Sequence, residues 1–301
     1  MRGGGPVSAA PAARPAAAPL TGWPDLETLQ QAVLDGAFGA DPRSVRISTA
    51  FATSQAVRHD GRSGGYRNEV LSLRLGAAVG SCAAEPGALP PEAVTDAVGA
   101  DVAALLAHPL PVVRTAALDA YLMHRLPHTP AHGARPLALA AGASLEKSRA
   151  RARAVVDLLA PMVPAGGRVL VVGVVNSLLE ALCSRGLAYV PCDLKGGVTE
   201  WGEAVARDAA GAVGGCDAVL ASGMTLGNGT FGPLRALAAA RGLPLVLFAQ
   251  TGSAVLPRFV GAGVHAVCAE PYPFFWLDGG PGTLYRYGGL PGDGRYEGSG
   301  R

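Results

Sequence analysis

From residue 167 onward, short apolar runs alternate with segments of helical spacing, and this alternation limits the possible folds more than any other feature of the chain. The runs cover residues 168–173, 188–193, 216–222, 243–249 and 266–270. Runs this short, with so little charge inside them, suit strands covered on both faces by helices. Between them, residues 177–185, 201–212, 232–240 and 256–260 read as helices. Repeated β-α-β units predict an α/β architecture, a Rossmann-like doubly wound parallel sheet. A helix over residues 145–162 leads into it.

The preceding chain has a different rhythm. Leu26, Leu29, Val33 and Ala37 recur at helical spacing behind Asp25, a suitable cap. Residues 45–51 alternate as a strand does, and residues 55–59 are expected to pair back on them across a turn at 52–54. Residues 70–75 and 77–82 continue this antiparallel meander, and helices over 91–106 and 112–126 follow. Strands before helices is an α+β order. A smaller domain is therefore expected over residues 23–127, joined by a breaker-rich linker (128–144) to a Rossmann-like domain over 145–276. Residues 1–22, dominated by Ala, Pro and Gly, read as a disordered leader, since Pro and Arg interrupt any signal-peptide core. Residues 277–301 read as a Gly- and Tyr-rich tail.

Composition narrows the function. Apolar residues make up 49% of the 301, ample for a core, yet no run reaches the ~18 apolar residues of a membrane span. A net charge of +2 without a basic cluster offers nucleic acid little to bind. Cys82, Cys183, Cys192, Cys216 and Cys268 are scattered without C-x-x-C spacing, which points to reduced thiols in the cytoplasm and away from structural zinc. His124, His128 and His132 are spaced like helical metal ligands, but Pro127 and Pro130 forbid a continuous helix. Lys147, Arg149, Arg151 and Arg153 read as a solvated helix face, with a lip over an anionic ligand as the alternative.

In open α/β sheets ligands bind beyond the carboxyl ends of the strands. The turn after residues 168–173 reads Gly173-Val-Val-Asn-Ser-Leu and keeps only one fingerprint glycine of G-x-G-x-x-G, so a standard dinucleotide site is not expected. Asn176 belongs to that turn. The run at 216–222 empties into Gly223, Thr225, Asn228 and Thr230, and the run at 243–249 into Thr251, Gly252 and Ser253. Together these supply hydroxyls, amides and free backbone N–H groups at one sheet edge, a candidate site for a polar or anionic ligand. Asp193 and Glu270 close two further runs and are the candidates for proton transfer or metal coordination. Oxygen ligands of that kind favour a hard divalent ion. Asp193 also stands where a ribose-binding carboxylate sits in nucleotide-binding sheets. No G-x-S-x-G elbow is present, and Cys192 and Cys268 read as small core thiols. The apolar stretch Pro271-Tyr-Pro-Phe-Phe-Trp276 suits either closure of a cleft or a homodimer contact.

The segment Ser222-Gly-Met-Thr-Leu-Gly-Asn-Gly-Thr230 resembles the T-G-x-x-L-x-N-x-T signature of a family described as heavy-metal chelation proteins, a domain of unknown function. Thr251-Gly-Ser-Ala-Val-Leu-Pro257 and Gly261-Ala-Gly-Val264 are similar to the same family's G-P-S-x-P-L-x-P and F-x-x-G-V stretch. The resemblance covers residues 23–276 and is strongest over 216–270. Ser222 and Ala254 depart from the family's Thr and Pro, and residues 66–80 lack its small-residue strand motif. The resemblance implies an enolase-N-terminal-like α+β domain before the Rossmann-like one, with a site between them. The positions it marks are Gly223, Thr225, Asn228, Thr230, Thr251 and Gly252.

These readings converge on a small-molecule-binding protein, an enzyme of specialised or metal-linked metabolism. The alternative is a non-catalytic cytoplasmic carrier of a metal or metal chelate. A nucleotide or S-adenosylmethionine enzyme is a third reading and rests on the position of Asp193.

Overall fold

The structure is a computed structural model, and it describes residues 18–62, 64–272 and 279–289. The leader up to residue 17, most of the apolar stretch at 271–276 and the last twelve residues of the tail lie outside the described residues. The elements, in chain order, begin with α1 (Leu26–Leu34), β1 (Thr49–Val57), β2 (Tyr66–Leu75), β3 (Ala78–Ala84), α2 (Glu92–Thr95), α3 (Val102–Leu106) and α4 (Pro111–Arg125). Next come β4 (Arg135–Leu139), α5 (Ser144–Leu159), β5 (Arg168–Val172), α6 (Asn176–Ser184), β6 (Ala188–Cys192), α7 (Ala209–Ala212) and β7 (Ala218–Ser222). The chain then forms α8 (Met224–Gly227), α9 (Phe231–Ala240), β8 (Leu245–Ala249), β9 (Ala266–Ala269) and β10 (Gly282–Gly288).

Two sheets result. β1, β2 and β3 form an antiparallel sheet of three strands, and the other seven run in the order β4-β10-β9-β8-β7-β5-β6. The central five, from β9 to β6, pair in parallel, while β10 runs antiparallel to both β9 and β4. Period-two alternation divides the strand side chains between two cores. Val169, Val171 and Leu220 face Val155, Leu159, Leu178 and Leu182 of α5 and α6. Leu170, Val219, Leu245 and Leu247 belong to a second core that takes in Phe231 and Leu234 of α9 and continues into Leu71, Leu73, Val113 and Tyr121. One face of the large sheet is thus continuous with the core under the small sheet. Helices on both faces make the fold the α/β, Rossmann-like, doubly wound class. Among the described residues no helix is long and apolar enough to cross a membrane.

Several elements differ from the sequence reading. Residues 49–57 are one strand rather than a hairpin, paired with β2 from Thr49↔Arg74 to Val57↔Tyr66. Nothing at Ala52-Thr-Ser54 supplies the positive φ a tight turn needs. The helix expected at 91–106 splits into α2 and α3 around Gly99, which sits at φ +80°. Of residues 201–212 only α7 is helical, because the preceding stretch forms bridges at Val198↔Ala204 and Cys192↔Ala206. Within the stretch read as a linker, β4 is an edge strand, a place that tolerates Pro136. In the segment read as tail, β10 buries Leu284 and Tyr287 between β9 and β4.

Candidate functional site

β5 lies between β6 and β7, so the chain leaves it toward opposite sides of the sheet. The loops beyond such a point diverge and leave a crevice. Gly173 makes the turn with φ +88°, and a side chain there would come within 2.7 Å of the Ser222 Cβ. Only glycine satisfies both demands. The crevice is a cavity of about 250 Å³ lined by Gly173 after β5, Asp193 after β6 and Ser222 at the end of β7. Met224, Thr225, Asn228 and Thr230 form one wall, and Leu234 and Leu237 of α9 and Ala209 and Ala210 of α7 form an apolar one. A second cavity of about 230 Å³ shares Glu85, Met224 and Asn228 with the first and is walled by Ala83, Leu110, Pro111 and Val112. Both sheets therefore contribute to this side of the molecule.

The polar groups of the crevice are held in place by local bonds. The Asp193 carboxylate accepts the Val174 N–H on Oδ2 (3.3 Å) and the Lys195 N–H on Oδ1 (3.0 Å). The Thr225 hydroxyl donates to the Ser222 carbonyl at 2.8 Å. Asn228 Oδ1 accepts from both the N–H (3.1 Å) and the hydroxyl (2.7 Å) of Thr230, an Asx turn at the start of α9. That leaves the Asn228 amide NH₂ to donate. Burial and the adjacent Asp193 push the Cys192 thiol up to about 11, so it stays protonated and un-nucleophilic at neutral pH. At the mouth, Lys195 pairs with Glu85 at 3.2 Å, with exposed Arg207 on the same rim. Sequence reasoning missed Glu85, Lys195 and Arg207, which carry no motif.

Thr251, Gly252 and Ser253, expected to bind ligand, do not line this cavity. They are buried in a joint between the two sheets. The Gly252 N–H donates to the Ser81 carbonyl of β3 at 2.8 Å. Asp119 of α4 closes the joint, accepting the Ser81 N–H on one oxygen (2.8 Å) and the Ala254 N–H on the other (2.7 Å). Burial pushes its carboxyl up to about 7 against the opposing pull of the Ser81, Ala254 and Val255 amides. Gly223 belongs to the same packing, since a Cβ there would lie 2.4 Å from the Thr251 carbonyl.

Asn176 and Glu270 do not line the crevice either, and each belongs to its own set of polar contacts reaching α5. Glu270, 4% exposed, takes a bidentate pair from Arg151 (2.6 and 2.8 Å) and a bond from Gln250 (2.9 Å). Asn176 Oδ1 accepts the Glu200 N–H at 3.5 Å, and Arg62 joins Glu200 to Glu180, which Arg149 also engages. Lys147 is buried and donates to the Gly280 carbonyl. The basic run is therefore only partly a solvated face: Lys147 and Arg151 are turned inward, while Arg149 and Arg153 reach solvent. Glu270 is thus engaged by Arg151 and Gln250 and does not line the crevice.

Among the described residues no three His, Cys, Asp or Glu are grouped to hold a metal ion. Asp193 and Glu270, the carboxylates expected to do so, are committed to different partners in different places. The three histidines of the 124–132 stretch are likewise separated. His128 Nδ1 lies 2.6 Å from the Tyr287 hydroxyl and its ring stacks on Tyr285 at 4.6 Å, while His132 Nδ1 bonds the Pro127 carbonyl at 2.8 Å. Burial and nearby Arg258 push His128 down to about 3. Arg258 is itself fully buried beside Tyr287, whose ring lies 5.8 Å away, and among the described residues no carboxylate pairs with it. Because such a charge costs desolvation without a counter-ion, Arg258→Met is expected to leave stability unchanged or raise it by about 1–4 kcal/mol. Urea denaturation of the two proteins side by side measures it.

No family model and no curated protein matches the chain. Among the solved structures similar to it in fold are two of the same family. One is a protein of unknown function from the DUF364 family of Desulfitobacterium hafniense DCB-2, with 14% identity, 81% of this chain and 86% of that chain covered, and a TM-score of 0.52. The other is a DUF364 protein of unknown function from Pyrococcus horikoshii, with 10% identity, 85% and 97% coverage, and a TM-score of 0.51. At such identities the likeness concerns the fold.

Proposed function

We propose that the protein binds a small organic molecule in the crevice beyond β5, β6 and β7. The observation that carries this reading is the cavity of about 250 Å³ at the strand-order reversal, bounded by the polar turn of residues 224–230. A mostly apolar pocket with a few convergent hydrogen-bonding groups is the common form of a ligand site. The ligand has an apolar body seated against Leu234 and Leu237, with polar edges toward Asp193, Thr225 and Asn228. Of the two carboxylates proposed for proton transfer, Asp193 alone faces this cavity. An enzymatic role, with Asp193 as its acid–base group, is the first reading. A carrier that releases its ligand unchanged is the second, favoured by the engagement of Glu270 outside the crevice.

Native mass spectrometry of the purified protein tests the proposal. The expected result is a co-purified or added small molecule that Ala210→Trp excludes, since that exposed side chain lines the cavity and a ring there would fill it. Asn228→Ala is expected to weaken binding about tenfold or more at a stability cost of about 1 kcal/mol, the usual worth of a lost cap. Ligand retained undiminished in Ala210→Trp would move the site elsewhere.

A further inference from the structure

The ligand class follows from how Asp193 is held, on the premise that this cavity is the binding site. A carboxylate offers about four lone-pair directions, two on each oxygen. Here one direction on each oxygen is already taken, by the Val174 N–H on Oδ2 and the Lys195 N–H on Oδ1. These bonds come from the turns after β5 and β6, so they fix the plane of the carboxylate as well as its position. What remains is one acceptor direction on each oxygen of a fixed, acceptor-only group at the cavity wall. The complement of that arrangement is two hydroxyl donors on neighbouring carbons, a vicinal diol.

The rest of the cavity says what carries the diol. Leu194, Ala210, Leu234 and Leu237 give it apolar walls for a ring, and the NH₂ of Asn228, which has no partner among the described residues, supplies a donor for a ring nitrogen or carbonyl. The dinucleotide type of pyrophosphate turn does not accompany them, because the Gly173-Val-Val-Asn turn lacks the second and third glycines that let a pyrophosphate approach the backbone. We infer that the crevice binds a ribonucleoside or a nucleoside thioether through its 2′- and 3′-hydroxyls on Asp193, rather than a dinucleotide. The acidic side chain reads the sugar, and the apolar walls hold the base.

Isothermal titration of the full-length protein with adenosine, 2′-deoxyadenosine, S-adenosylmethionine and NAD tests this. Adenosine or S-adenosylmethionine is expected to bind, and loss of the 2′-hydroxyl to weaken adenosine by about tenfold or more, the worth of one hydrogen bond to a charged group. Asp193→Asn, which keeps the shape but loses acceptor capacity, is expected to bring the ribo- and deoxyribonucleosides to similar affinities. A purely structural role for Asp193 would weaken both in parallel and leave their ratio unchanged. Equal binding of the two by the unmodified protein overturns the inference. So does failure of every nucleoside while another small molecule is bound and excluded by Ala210→Trp, a result that leaves the cavity reading intact. If Ala210→Trp changes the binding of nothing, the cavity reading falls as well.

Discussion

Asp119→Ala is expected to cost the protein roughly 3–6 kcal/mol, enough to unfold much of an ordinary domain's margin. The reason is the burial of its partners. Asp119 is 1% exposed, and its carboxylate satisfies the N–H groups of Ser81 in β3 and of Ala254 in the turn after β8. Each buried donor left without an acceptor costs about 1–3 kcal/mol, and the lost side chain adds a void. Asp119→Asn keeps the shape but turns an NH₂ toward one of those donors, so about half the loss is expected. The pH dependence separates this group from a generic core residue. Its carboxyl is raised from 3.8 to about 7 in the folded protein, so the folded state holds the proton more tightly than the unfolded one. Protonation therefore favours folding, and the stability owed to this group is full below about 4 and declines as pH rises toward 7. Urea midpoints at pH 4.5 and 7.5 are expected to differ less in Asp119→Asn than in the unmodified protein, with the denaturant slope unchanged. A midpoint difference equal in both proteins would remove Asp119 as its source.

This joint also explains which parts of the site were legible in the sequence. The rule that ligands gather at the carboxyl ends of parallel strands correctly put Asp193, Thr225, Asn228 and Thr230 at one crevice. The same rule put Thr251, Gly252, Ser253 and Glu270 at that edge, and there it stops short. It says which end of a strand is open in an isolated sheet, not which ends another layer covers. Here β3 and α4 pack over the turn after β8, through Gly252 to Ser81 and Ala254 to Asp119. Pairings across more than a hundred residues leave no local periodicity, and Asp119 sits silently within an apolar helix of Ala116, Ala117, Leu118, Ala120 and Tyr121. The strands β5 and β7 were plain because both faces are buried. β10 was not, because its Gly-Thr-Leu-Tyr-Arg-Tyr-Gly pattern alternates only two buried side chains, Leu284 and Tyr287, among intermediate ones. Within the smaller sheet, residues 66–80 lacked a small-residue motif, yet β3 itself, from Ala78 to Ala84, is made almost wholly of small residues.

Those small residues are a packing requirement, and Gly80→Ala is expected to be the most damaging Gly→Ala change among the described glycines. A Cβ at Gly80 would stand 1.9 Å from the Ala120 nitrogen, 2.4 Å from its Cα and 2.6 Å from the Ala116 carbonyl. All three are backbone atoms of α4, so no rotamer change relieves the clash, and β3 and α4 must separate. Overpacking of flexible side chains costs about 1–3 kcal/mol, and a backbone clash of this depth is expected at or above the upper figure. The same spacing governs the crevice, because α8 packs on the other end of β3. A Cβ on Gly227 would meet the Ala83 carbonyl at 2.6 Å and the Cys82 Sγ at 2.8 Å. Gly227→Ala therefore pushes the 224–230 turn away from the small sheet and shifts Asn228, which lines both cavities. Gly232→Ala supplies the control: it lies in the first turn of α9 with open space around the position, and because Pro233 follows and disfavours helical backbone at a residue with a Cβ, little net change in stability is expected. Thermal unfolding and ligand titration of the three variants together separate the effects. Gly80→Ala is expected to lose stability most, Gly227→Ala to lose affinity out of proportion to its stability, and Gly232→Ala neither. Should Gly80→Ala prove as stable as Gly232→Ala, the close seating of β3 on α4 would be wrong, and with it the tie between the two sheets that shapes the crevice.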